Sequence, residues 1–195
     1  MALSASYGAY YVAARTDGVV EHLSDFRYPL GEFRYTGLSS AEHCAERVQI
    51  IELFPAELKR AVSDLTDRQL DTPHRESGWT IRQITHHLGD VNVHIYCRVK
   101  AVVAEPAPLI VGFEESDWIK TPDHNLPVAP TLAMLEGTHA RWTAVLRPLL
   151  PADYARTFEW HGEGRVSLDE QVEYAAWHCQ HHLAQIAAAQ KRFGW

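Results

Sequence analysis

Cysteine is scarce in this sequence: Cys44, Cys97 and Cys179 are the three in 195 residues. They are too few, too scattered and odd in number for a disulfide framework, which favours a reducing, cytoplasmic compartment. Basic charge is also short. Lysines and arginines number 18 against 25 acidic residues, giving a formal net charge of −7. They form no run of the kind that phosphate contacts require, so a nucleic-acid-binding surface is excluded. No stretch approaches the ~18 apolar residues of a membrane-spanning helix. The opening "MALSASYGAYYVAARTDG" lacks the basic start and sustained apolar core of a signal peptide. No internal repeat is visible.

Hydrophobic residues, by contrast, make up 46% of the chain, enough for one well-buried domain. Residues 1–27 show weak periodicity and read as an N-terminal arm, and 28–195 as the domain. "FRYPLGEFRYTG" (26–37) mixes Pro29, Gly31 and Gly37 with aromatics and predicts an extended segment across the body. Four helical patterns follow. The first starts at Ser39 or Ser40 and carries an apolar stripe through Val48, Ile51, Leu53, Phe54, Leu58, Ala61, Val62 and Leu65, with a kink or restart expected at Pro55. The second runs from Thr80 to about Glu105 with Ile81, Ile84, Leu88, Val91 and Ile95 inward. The third covers about Val128 to Leu150, with His139 and Trp142 on its inner face. The fourth runs from Ser167 to about Arg192, its apolar positions Val172, Ala175, Ala176, Leu183, Ile186 and Ala187. "RTFEWHGEGRVSL" reads as a small β-hairpin before the last helix. The 105–127 connection holds four prolines and is long for a bundle, a length common in lids. The expected fold is all-α, a four-helix bundle with long crossover loops.

Histidine is abundant, with 12 residues, and three of them crowd into "WHCQHHLAQI" (177–186). His178 and His182 stand four apart, so on a helix they share a face and can converge on one divalent ion. His181 points to the flank, and Cys179 lies about 100° round the helix. A third donor must come from elsewhere. In "GWTIRQITHHLGD" (78–90), His87 lies among Ile84, Leu88 and Val91 and faces the interior, where it is either a core histidine or the missing ligand. Asp90 follows three residues later and could orient an imidazole. Three neutral imidazoles around zinc, nickel or a similar ion leave positions open for water or substrate, the mark of a catalytic site.

"YPLGEF" (28–33), "LDTPHRESGWTIRQITHHLGD" (70–90), "HARWTAVLR" (139–147), "YAAWHCQHHLAQI" and the closing "KRFGW" together resemble the YfiT-like branch of the DinB superfamily over roughly residues 28–195. The resemblance implies a DinB-like bundle that binds one divalent metal ion, nickel or zinc, through His87, His178 and His182. It further implies a homodimer and a metal-dependent hydrolase. The wider superfamily also contains transferases that use low-molecular-weight thiols, and a metal-bound thiol loses its proton outright. A non-catalytic metal-binding or stress-response protein is the third reading. In the enzymatic readings the partner is a small-molecule substrate.

Four further residues are weighed for the site. Arg82 can meet an anionic substrate or simply pair with a carboxylate. His139 is a candidate acid or base, or a packing residue. Tyr174 lies four before His178 and shares its face, at the site or in the core. Asp90 completes the set. A zinc-protease motif is excluded, because Cys-Gln-His fills "HxxxH" with no glutamate after the first histidine.

Overall fold

The structure, a computed structural model, describes residues 26–195 apart from 107 and 163; the expected arm therefore lies outside the described residues except for Phe26 and Arg27. Four long helices form the body: α1 (Ala41–Val62), α3 (Ile81–Ala104), α5 (Ala129–Leu146) and α6 (Leu168–Phe193). Short helices α2 (Asp67–Leu70) and α4 (Glu115–Trp118) sit in the connections. In the bundle α1 packs beside α5 and α6, and α3 packs beside the same two, so α1 and α3 occupy opposite corners.

Three of the four long helices begin where the sequence supplies a side-chain cap, and α5 begins with a proline in its first turn instead. Ser40, Thr80 and Ser167 accept hydrogen bonds from the backbone N–H three residues on, and Thr80 with Gln83 completes a reciprocal capping box. Gly194 ends α6 at φ 71°, the left-handed conformation that glycine adopts without a Cβ clash.

Helix α1 runs unbroken through Pro55, where a kink or restart was expected. Proline offers no N–H to the Ile51 carbonyl four residues earlier. His139 on α5 supplies the donor instead, with its Nδ1 2.6 Å from that oxygen. An inter-helix hydrogen bond thus stands in for the missing intra-helix one.

The core forms two apolar clusters. One centres on Ile51, Ile95, Val99, Trp142, Phe158 and Val172; the other on Phe54, Leu58, Ile84, Leu88, Leu135 and Ile186. Within this core the buried Asn92 donates to the Leu88 carbonyl and accepts from the Cys179 thiol. The predicted α3 stripe is buried throughout, whereas Leu53 and Ala187, both expected inside, are exposed. Gly89 permits the close approach of α5: a Cβ there would come within 2.6 Å of Thr131 Cγ2.

The predicted hairpin is present as β2 (Thr157–Trp160) and β3 (Gly164–Ser167). It gains a third strand, β1 (Leu109–Ile110), which pairs parallel to β2 and comes from the long crossover. The crossover is therefore anchored at its start by the sheet. It is held further on by stacking of His94 against Phe113 at 4.4 Å and an edge contact with Trp118 at 5.0 Å. Segment 26–40 is extended and crosses the outer face of α6, with Phe33 packed on Tyr174 and Trp177.

Candidate metal centre

His87 on α3 and His178 and His182 on α6 come together in the bundle interior. The spacing of four on α6 places two imidazoles one turn apart on one face, and the α3–α6 packing brings the third against them. His178 Nε2 lies 3.1 Å from His182 Nε2 and 3.4 Å from His87 Nε2. Two nitrogens bound to one ion at ~2.05 Å sit ~3.3 Å apart in a tetrahedral arrangement and ~2.9 Å apart at right angles. The observed separations fall close to this range, so the donor set fits a small divalent ion.

All three imidazoles are buried. Burial pushes the His87 pKa down to about 3. It carries His178 and His182 well below the ordinary histidine value, with the neighbouring imidazoles adding to the effect. The trio is thus neutral at neutral pH, the state in which imidazole presents a lone pair to a metal.

One tautomer can be fixed from the surrounding hydrogen bonds. The Gln185 amide nitrogen lies 2.7 Å from the Arg27 carbonyl oxygen, which can only accept. The amide oxygen therefore faces His182, 2.8 Å from Nδ1, and Nδ1 must carry the proton. The Nε2 lone pair of His182 is left facing the other two rings. The same amide nitrogen lies 3.0 Å from His181 Nε2, so His181 is tied to this support and stacks on Trp177 with ring centroids 4.7 Å apart. His86 is engaged elsewhere, by Thr131 Oγ1 and the Leu126 carbonyl.

A cavity of about 320 Å³ opens beside the three rings. Its walls include Trp79, Trp177 and Tyr28, the 74–78 turn with His74 and Arg75, and residues 114–116 of the crossover. Trp79 meets His87 edge-on at 4.7 Å. Sequence reasoning missed Gln185, Trp79, Trp177 and Arg75. Gln185 stands three residues after His182, a helix-neighbour spacing that could have flagged it.

The other candidates separate. Tyr174 lines the cavity, its ring centroid 5.4 Å from that of His178. Arg82 does not line it: Asp71 and Asp67 bind its guanidinium at 2.6 and 2.8 Å. His139 is likewise removed, held by the Ile51 carbonyl between Phe54 and Trp142. Asp90, about 60° round α3 from His87, instead lies 3.0 Å from His124 Nε2. With Asp123 these two form a second group of ligand-capable side chains, its carboxylates partly or fully exposed.

The sequence comparisons decide the family. The family model described as the DinB superfamily matches residues 50–186. This chain belongs to the DinB superfamily. The DinB-superfamily chain is 40% identical over 173 residues to a Bacillus mycoides (strain KBAB4) protein named "Putative metal-dependent hydrolase", covering 89% of this chain and all of that one. A protein of the same name from Geobacillus kaustophilus (strain HTA426) is 42% identical over 171 residues, covering 87% and 96%. Among solved structures, YfiT from Bacillus subtilis, described as a probable metal-dependent hydrolase with an unusual four-helix bundle topology, matches with a TM-score of 0.84. Identity to it is 36%, over 88% of this chain and 99% of YfiT. The chain is thus a YfiT-like DinB-superfamily protein with a four-helix bundle. No described helix is long and apolar enough to cross a membrane.

Proposed function

We propose that the protein binds one divalent metal ion, nickel or zinc, through Nε2 of His87, His178 and His182, and that it hydrolyses a small-molecule substrate in the adjoining cavity. The observation that carries the reading is the convergence of three neutral, buried imidazole nitrogens at separations that suit a shared ion. A metal held by three imidazoles lowers the pKa of a bound water toward neutrality and polarises a substrate carbonyl or phosphoryl oxygen. The chain supplies the rest. Gln185 fixes His182 in the ligating tautomer, the indoles of Trp79 and Trp177 wall the site, and Tyr174 offers a side chain to the ligand beside His178. The names of the relatives and of YfiT support hydrolysis.

A second reading is S-transfer from a low-molecular-weight thiol. It is favoured by one feature: among the described residues no carboxylate hydrogen-bonds to the three imidazoles to serve as a general base at the centre. Ionisation of a metal-bound thiol needs no such base. The non-catalytic reading is disfavoured by the substrate-sized cavity beside the rings. We propose a cytoplasmic location, in keeping with three free cysteines, two of them buried, and, from the family resemblance, a homodimer.

Elemental analysis of the purified, untagged protein beside His178→Ala and His182→Ala tests the metal. Near-stoichiometric zinc or nickel in the wild type, lost in both variants, is expected. Failure to bind zinc, nickel, manganese or iron on reconstitution overturns the enzymatic reading. With the ion known, parallel assays on hydrolysable esters and amides and on thiol plus electrophile separate the two chemistries.

A further inference from the structure

We propose that Arg75 is a specificity-determining residue that seats a carboxylate of the ligand at the mouth of the metal site. The ligand's reacting end, on the reading above, points to the three histidines, and its flat or apolar body lies along Trp79 and Trp177.

Several arginines of the fold are met by carboxylates. Arg47 is met by Asp169 and Glu173, Arg82 by Asp71 and Asp67, Arg147 by Glu52 and Arg156 by Asp153. Arg75 is partly buried in the wall of the cavity and forms no ion pair with any described residue. Its hydrogen bond is a donation from Nη1 to the adjacent Glu76 carbonyl at 3.0 Å, and its Nε is buried with no partner. A guanidinium has five N–H donors in a planar fork that matches a carboxylate. A half-buried cation with most of its donors open, facing a cavity, calls for a partner that arrives with the ligand. Glu114 and Glu115 line the same cavity from the crossover but form no ion pair with Arg75, and Glu114 accepts from the Ser116 hydroxyl at 2.9 Å.

The turn that carries Arg75 is built to hold it. Pro73 and Thr80 bridge across its base. Both the backbone N–H of His74 and its Nδ1 lie within 3.0 Å of the Trp79 carbonyl oxygen. Ser77 takes a positive φ of 54°, a conformation that side-chain-bearing residues seldom adopt. At Gly78 a Cβ would come within 2.6 Å of both Arg75 Cγ and His74 Cε1, so the glycine lets the turn close against these two side chains. Thr80, which ends the turn, caps α3. The same helix that presents His87 therefore fixes the position of Arg75. Among arginines near the metal helix, Arg82 is paired with two carboxylates, and Arg75 with none of the described ones.

The test is isothermal titration of the full-length protein with benzoate and with benzamide, its neutral analogue. It is run on the zinc-loaded and the chelator-stripped forms of wild type, Arg75→Gln and Arg75→Lys, with matched thermal midpoints confirming that the variants fold. Wild type is expected to favour benzoate by roughly tenfold or more, as a charge-assisted bidentate contact would give, in both forms. Arg75→Gln should bring the two ligands to within about twofold, and Arg75→Lys should keep part of the preference, since it retains the charge without the fork. No preference in wild type, no benzoate binding at millimolar concentration, or a preference that survives in Arg75→Gln overturns the proposal; the last result with zinc alone would place the carboxylate on the metal. Zinc content is measured on the same samples. A protein that takes up none of zinc, nickel, manganese or iron but shows the Arg75-dependent preference refutes the metal reading and leaves the anion seat standing.

Discussion

Removing the Gln185 amide tests whether the metal centre depends on a residue that makes no contact with the ion. Gln185 performs three tasks at once: it accepts from His182 Nδ1 at 2.8 Å and places its amide nitrogen on the Arg27 carbonyl and on His181 Nε2. In Gln185→Leu nothing holds the proton on Nδ1, and the imidazole is free to rotate or to place its proton on Nε2, the nitrogen that faces the site. Loss of such an outer partner weakens metal binding by about 10–100-fold, or about 1.4–2.7 kcal/mol. Competition against a chelating dye, with the folded state checked by circular dichroism, measures the change in zinc affinity. Gln185→Glu discriminates further. A carboxylate accepts more strongly from His182, but it faces the Arg27 carbonyl across 2.7 Å with no donor between them, so it should repair zinc affinity while lowering thermal stability. A zinc affinity unchanged within about twofold in Gln185→Leu, in a folded protein, would refute the tautomer argument.

Other consequences concern the bundle itself. Because His139 satisfies the carbonyl freed by Pro55, His139→Ala should cost about 2–3 kcal/mol from the lost hydrogen bond and packing. Less should be lost in Pro55→Ala, whose restored N–H reaches Ile51; a double-mutant cycle in urea reads the difference. Burial holds the His139 pKa down at about 4, below its unfolded value of about 6.5. The unfolded chain therefore takes up the proton first, and the stability present above pH ~6.5 is lost as pH falls toward ~4, on the order of 3 kcal/mol for this group. Stability measured between these limits should fall less steeply in His139→Gln than in wild type. Asp169 is fully buried against Arg47, and Asp169→Leu leaves that guanidinium one carboxylate, Glu173, beside backbone carbonyls, so a loss of about 3 kcal/mol and a clear drop in Tm are expected.

The sequence carried the four helices legibly because their signals are local. Ser40, Thr80 and Ser167 precede apolar stripes of period 3–4, and Gly194 follows the last one. The same locality explains the errors. Leu53 and Ala187 satisfy the spacing rule but lie on the edge of their stripes, where exposure depends on which neighbouring helix arrives. Pro55 looked like a break because the compensating donor, His139, is 84 residues further along the chain. The third strand was hidden because β1 has two residues and acquires its meaning only from β2.

The site divides along the same line. The His178–His182 pair is a property of one helix, and the inward face of His87 is a property of another, so both were readable before any packing was known. The choice between Arg82 and Arg75 was not. On sequence distance Arg82, five residues before His87, is the better candidate. It is set aside only because α2 and its C-terminal end bring Asp67 and Asp71 to it, while among the described residues no carboxylate pairs with Arg75, which sits on a turn that closes on itself. An arginine's function is set by which carboxylates the fold delivers to it, and that is a statement about tertiary structure. The histidine pair differs because the two imidazoles on α6 need nothing but the pitch of the helix to meet.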